Sequence, residues 1–205
     1  MSTREAILEA ALSVFAESGY DLGTVREICQ RADANVAAVN YHFGDKATLY
    51  EEVLQYAYRS AGTGEPMPRL SENPTEPLTQ LRRWIHWYLR RLLQAGQTEV
   101  GRLMAREMAS PTPALDALAS RAVQPVFSEL NDIVQAVTEG RLNQREIRLH
   151  STSIVGQCLI YRSGSAMLER LDPPHFGIDD AIEIADHIAA AACAALSPSF
   201  KGSTA

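Results

Sequence analysis

Residues 24–50 read TVREICQRADANVAAVNYHFGDKATLY, and the fold turns on how this stretch divides. Thr24 and Glu27 have the spacing of a capping box, in which each side chain bonds the other's neighbouring backbone N–H, so a short helix starts at Thr24. It ends near Ala32, because Asp33, Ala34 and Asn35 break the apolar periodicity and Asn35 is a good N-cap for the next helix. Val36, Val39 and Phe43 make the inward stripe of that helix, and Gly44 ends it. Asp45 then caps a fourth helix whose stripe is Leu49, Val53, Leu54, Tyr56 and Ala57. Upstream, Ile7, Leu8, Ala11, Leu12 and Phe15 recur at helical spacing with Arg4, Glu5, Glu9 and Glu17 opposite, and Gly19 follows as a stop. A packing helix followed by two short helices around a tight polar turn is the helix-turn-helix arrangement, whose second short helix enters the major groove.

With that stripe turned inward, Ala37, Ala38, Asn40, Tyr41 and His42 are left toward solvent or the flank. The alanines allow close approach to base edges, Asn40 can read adenine, and Tyr41 and His42 can donate to phosphates or bases. Lys46 stands in the first turn of the fourth helix, where the helix dipole disfavours a cation and a bound phosphate reverses that cost. Thr24 offers its hydroxyl and nearby N–H groups in the same way. Taken singly, Thr24 is a cap, Lys46 a solvated lysine and Tyr41-His42 a packing pair. In this order, with Asn35 at the head of the recognition helix, they read as a surface for double-stranded DNA.

Composition bounds the reading from outside. At 205 residues and 46% hydrophobic content the chain can bury a substantial core. The formal net charge of −6 excludes attraction to DNA by bulk charge. Residues 1–60 carry five Lys/Arg (Arg4, Arg26, Arg31, Lys46, Arg59) against nine Asp/Glu, a net of −4, so non-specific affinity is modest and two half-sites gripped by a dimer would compensate. Cys29, Cys158 and Cys193 lack metal-ligand spacing and read as reduced, mostly buried residues of a cytoplasmic protein. The N-terminus lacks the pattern of a signal peptide, no segment has the apolar length to span a membrane, and no cofactor is expected.

Between residues 61 and 77 stand Gly62, Gly64, Pro66, Pro68, Pro74 and Pro77, which read as a connection. Beyond it the periodicity is helical over 78–93, 99–108, 114–139 with an interruption at Pro125, 145–171 and 179–196, with no strand alternation. The chain therefore reads as all-α with about nine helices: a DNA-binding domain over 1–60, the connection over 61–77, a larger helical domain over 78–198 and a flexible tail over 199–205. Leu78, Leu81, Ile85, Tyr88 and Leu92 make one stripe with Trp84 and Trp87 on its borders; Val100, Leu103, Met104, Glu107 and Met108 make another. A carboxylate on an apolar stripe needs a partner from another helix or from a ligand. Trp84, Trp87, Tyr88, Met104, Glu107, Met108 and Tyr161 are thus candidates for an adaptable small-molecule cavity, the alternative being an ordinary core with one buried ion pair. Small residues let the last helices pack closely. Ile154, Val155 and Cys158, near Gly156 and Gly164, and Ile182, Ala185, Ala189 and Ala192 suit either an intrachain hairpin or a dimer interface.

The quoted stretch resembles the DNA-binding signature of the TetR/AcrR repressor family, in the capped second helix, the Y-H-F end of the recognition helix and the following G-D-K. The resemblance covers roughly the first 60 residues. It implies that Thr24 and Lys46 contact phosphate, that Ala37, Ala38, Tyr41 and His42 face the groove, and that Phe43 is a core residue. The family often has tyrosine where this chain has Asn40. VNYHF and the later REMASPTPAL are also similar to a subgroup with a CerR-type C-terminal domain. The implied function is a homodimeric repressor of a palindromic operator, released by a small-molecule effector, with the last two helices pairing with their copies. An enzyme finds no nucleophile-base pair, phosphate-binding glycine loop or metal-ligand pair in the sequence. A helical adaptor that has kept the fold without binding DNA draws its support from the acidic N-terminal balance.

Overall fold

The computed structural model describes residues 2–61, 64–96, 98–171 and 178–197, and among these the regular structure is entirely helical. The first 60 residues form α1 (Thr3–Leu22), α2 (Val25–Arg31), α3 (Val36–Phe43) and α4 (Lys46–Ser60). Each begins on a polar cap: the side chains of Ser2, Thr24, Asn35 and Asp45 accept from backbone N–H groups of the first turn. At α1 the box is reciprocal, since the Glu5 carboxylate also accepts from the Ser2 N–H at 2.8 Å. At α2 only half of the expected box forms, because the Glu27 carboxylate turns instead to Arg31 at 2.7 Å.

Gly19 does not end α1. It interrupts the helix with φ 77°, a left-handed value that glycine adopts without penalty, and the helix continues to Leu22. The carbonyls released at this break are taken up by Arg106, whose Nε donates to Ala16 O at 3.0 Å and whose second terminal nitrogen donates to Glu17 O at 2.7 Å.

Spatial contacts divide the chain into two compact units, Met1–Gly62 with Ala95–Gln124, and Thr63–Gln94 with Pro125–Ala205. The boundaries therefore fall within α5 (Pro77–Gly96) and at the head of α8 (Gln124–Val137), so chain order and compactness partition the molecule differently. In the first unit α1 packs on α2, α3, α4 and α6 (Glu99–Ala109), and α4 also meets α6 and α7 (Ala114–Leu118). Its core holds Ile7, Phe15, Ile28, Val39, Leu49, Leu54 and Leu103, all essentially without solvent exposure. The inward stripe expected of α3 is corrected at Val36, which is 50% exposed and leaves Val39 and Phe43 as the buried pair. In α4, Tyr50 is buried where Tyr56 was expected to be, and Tyr56 is half-buried.

The second unit contains a 3₁₀ turn at Leu70–Glu72 within the expected connection, most of α5, then α8, α9 (Gln144–Ser163), α10 (Ser165–Leu171) and α11 (Ala181–Leu196). The interruption expected at Pro125 is a π-helical turn over Ala119–Val123, placed just ahead of a residue that has no N–H to continue the helical ladder. The single helix expected over 145–171 is broken at Gly164, the C-cap of α9. These two breaks raise the count from about nine helices to eleven α-helical segments among the described residues. The tail over 199–205 lies outside the described residues.

Candidate nucleic-acid interface

Helix α3 is held by Asn35 at its head, whose side chain accepts from Ala38 N at 2.8 Å, and by Gly44 at its end with φ 80°. Val39 and Phe43 anchor it inward, and the guanidinium of Arg4, which pairs with Glu52 of α4, covers the Phe43 ring at 5.2 Å. What remains outward is one continuous strip: Val36, Ala37, Asn40 and Tyr41, at helical positions i, i+1, i+4 and i+5. Tyr41 is 85% exposed, and its ring meets His42 edge-on at 5.0 Å. Ala38 and His42 are half-buried on the flanks, and Asn35 is exposed. An exposed strip of valine, alanine and tyrosine on a rigidly anchored helix is suited to a partner surface that offers methyl groups and hydrogen-bond acceptors. Val36 belongs to this strip and was hidden in the sequence by its apolar type.

Thr24 is exposed, with its hydroxyl oxygen accepting from Glu27 N at 3.2 Å. Lys46 lies across the end of α1, with Nζ 4.7 Å from the centre of the Tyr20 ring and donating to Asp21 O at 3.3 Å. One ammonium donor is thus used, which fixes the side chain near the N-terminus of α4 and leaves the others for an anion. The acidic balance of the first 60 residues is partly internal. Glu52 pairs with Arg4, while Glu17 and Glu27 both pair with Arg31 at 2.7 Å. The hydrogen bond from Arg31 pulls the Glu17 carboxyl down to about 2.

The candidate ligand-binding residues do not come together in one unit. Met104, Glu107 and Met108 lie on α6 in the first unit; Trp84, Trp87, Tyr88 and Tyr161 lie in the second. Glu107 is buried and its partners are from its own unit: Tyr50 Oη donates to Oε2 at 2.8 Å, and Thr112 donates to Oε1 from its N–H at 2.8 Å and its hydroxyl at 2.9 Å. Met104 is half-buried, and Met108 is 70% exposed. In the second unit Trp84 is fully buried, not bordering, and stacks on Tyr88 with ring centres 4.8 Å apart. Trp87 donates from Nε1 to Glu65 O at 3.1 Å, and Tyr161 is half-buried. Arg162 is half-buried nearby, its pKa lowered by that burial and partly restored by Tyr88.

The candidate dimer residues are mostly spent within the chain. Ile154, Val155 and Cys158 of α9 and Ala185, Ala189 and Ala192 of α11 are all 4% exposed or less, and these two helices pack on each other. Burial pushes the Cys158 thiol up to about 12. Of that set Ile182 alone is outward, at 65%. On α9 the exposed apolar positions are Leu149 and Ile160, and a methyl built on Gly156, which shares their helix face, meets nothing within 4 Å.

Residues 7–53 match the family model described as bacterial regulatory proteins, tetR family, and residues 77–196 match the C-terminal domain of the HTH-type transcriptional dual regulator CecR. The subgroup expected from VNYHF and REMASPTPAL is thus matched under the name CecR. The HTH-type transcriptional dual regulator CecR of Shigella flexneri is 28% identical over 170 residues, covering 78% of this chain and 76% of that protein. The HTH-type transcriptional repressor NicS of Pseudomonas putida is 35% identical over 80 residues, 38% of each chain. Among solved structures, a linker-substituted mutant of HlyIIR has a TM-score of 0.65 at 24% identity, over 89% of this chain and 96% of that one. AibR in complex with isovaleryl coenzyme A and operator DNA has a TM-score of 0.63 at 18% identity, over 93% and 97%.

Proposed function

Because this chain belongs to the TetR family of bacterial regulatory proteins and carries a CecR-type C-terminal domain, we propose that it is a repressor that binds a palindromic operator as a homodimer and releases it when a small-molecule effector binds. The observation that carries this reading is the outward strip of α3, with Tyr41 at 85% exposure, on a helix flanked in sequence by Thr24 at the head of α2 and Lys46 in the first turn of α4. The strip enters the major groove, Ala37 and Val36 meet thymine methyls, and Asn40 and Tyr41 take base edges or phosphates. NicS is a repressor by name, and the AibR structure holds isovaleryl coenzyme A together with operator DNA, which supports a regulator that binds both DNA and a small molecule.

Two copies would pair through the outward face of α9 and α11, formed by Leu149, Gly156, Ile160 and Ile182. Small and apolar residues on one exposed helix face allow the close helix contact that an isologous interface needs.

The direct test is a mobility shift on DNA flanking the gene, across a salt series. Lys46→Ala and Thr24→Ala proteins should fold normally and bind more weakly, with Lys46→Ala reducing the slope of log affinity against log salt by roughly one unit. An unchanged slope would remove Lys46 from the phosphate-contacting set.

A further inference from the structure

A cleft of about 490 Å³ opens in the second unit between residues 65–68 and the outward face of α5. Arg82, His86 and Arg90 line it at four-residue spacing, with Arg83 and Trp87 in the adjacent row. Glu65, Pro66 and Pro68 form the other wall. On a chain of net charge −6, this cleft gathers three guanidiniums around one indole, each facing one carboxylate.

The three arginines differ in how firmly they are held. Arg82 is fixed on Asp186, with Nε at 3.0 Å and a terminal nitrogen at 2.8 Å from the same oxygen, and His86 Nε2 meets that oxygen at 2.6 Å. Arg83 reaches Glu72 only at 3.7 Å and Gln80 Oε1 at 3.5 Å. Arg90 pairs through one terminal nitrogen with the exposed Glu65, while its buried Nε has no hydrogen-bond partner among the described residues. A guanidinium engaged at one nitrogen with Nε unsatisfied is half of a side-on, bidentate carboxylate site. Trp87 supplies a flat apolar wall, with its N–H already occupied by the Glu65 carbonyl.

We propose that this cleft binds a small organic carboxylate, with its charge taken by Arg90 and Arg83 in place of Glu65 and its flat apolar body laid against Trp87, Pro66 and Pro68. The exchange replaces one carboxylate by another, so the charge count beside Asp186 and Glu72 is preserved, which a dianionic phosphate ester would upset. It also frees Glu65 and the segment it begins from Arg90. That the occupant is the effector rests on the regulatory function proposed above; its binding does not.

The test is calorimetry on the full-length protein without DNA, using 2-naphthoate as probe, 2-naphthamide as its neutral counterpart and inorganic phosphate as the bare anion. Naphthoate should saturate one site per chain, with the amide and phosphate at least tenfold weaker. Arg90→Gln should weaken naphthoate at least tenfold, and Glu65→Gln should tighten it several-fold by removing the competing carboxylate, both variants being checked for native helicity. No saturable naphthoate binding, equal binding of the amide, an unaffected Arg90→Gln protein, or a weakened Glu65→Gln protein overturns the proposal. Since no DNA is present, a failure here stands apart from a failure of operator binding in the mobility shift.

Discussion

Glu107 is accommodated in the interior of the first unit because its donors are delivered by its own neighbourhood, the Tyr50 hydroxyl on α4 and both donors of Thr112 in the turn after α6. The Thr112 hydroxyl in turn accepts from Ala114 N at 3.2 Å, so the same network starts α7. Burial and the adjacent carboxylate hold the Tyr50 phenol well above its usual range. Its apolar stripe announced that Glu107 needs a partner, and the partner could not be named from sequence because Tyr50 lies 57 positions away. Tyr50→Phe should cost about 1.5–3 kcal/mol in urea unfolding, the range for a hydrogen bond to a charged group. A loss below about 0.5 kcal/mol would show that the carboxylate is satisfied without it. At the surface, Glu17 gives a pH dependence of definite sign. Its carboxyl is lowered from 4.5 to about 2 by Arg31, so the contribution is complete above pH 4.5 and is lost as pH falls toward 2. Thermal melts across that window should show the wild type losing stability more steeply than Arg31→Ala; parallel curves would contradict the link.

Among the elements, α2, α3 and α4 were legible almost to the residue, because Thr24, Asn35 and Asp45 are polar caps set against apolar runs. Val36 was not, since residue type says apolar while its place at the first turn of α3 turns it outward. The last helices show the same limit: small residues at Ala185, Ala189 and Ala192 signal close packing, and the pattern alone does not distinguish a neighbour in the chain from one in a second copy. Within the chain those residues are already buried where α9 and α11 pack, so the dimer contact proposed above uses the exposed face of α9 instead. Gly156 separates the two effects, since alanine there favours an isolated helix by up to about 1 kcal/mol. If a partner helix approaches at that point, Gly156→Ala should weaken dimerisation in sedimentation equilibrium while raising α9 propensity. Tighter or unchanged dimerisation would place the interface elsewhere.

For the whole molecule, the all-α class and the helix-turn-helix could be read from periodicity and caps, whereas the return of residues 95–124 to the N-terminal unit could not. Long-range packing of α6 on α1 leaves no local mark beyond an apolar stripe, and nothing local marks Arg106 as the cap of the broken end of α1, 90 positions back. A repressor built this way responds to an effector only if the effector binds the DNA-incompetent form better, since equal affinity for both forms shifts nothing. In the proposed function, operator recognition by α3 is prior to any such response. Unbiased selection of DNA from a random pool tests it most directly, performed with the wild type and with Ala37→Ser and Tyr41→Ala proteins. A palindromic consensus should emerge with half-site centres about 10 base pairs apart or a multiple of that, and the two variants should change the preferred bases at fixed positions within each half-site. Enrichment of no consensus, or an identical consensus from all three proteins, would contradict the assignment of sequence reading to the outward strip of α3.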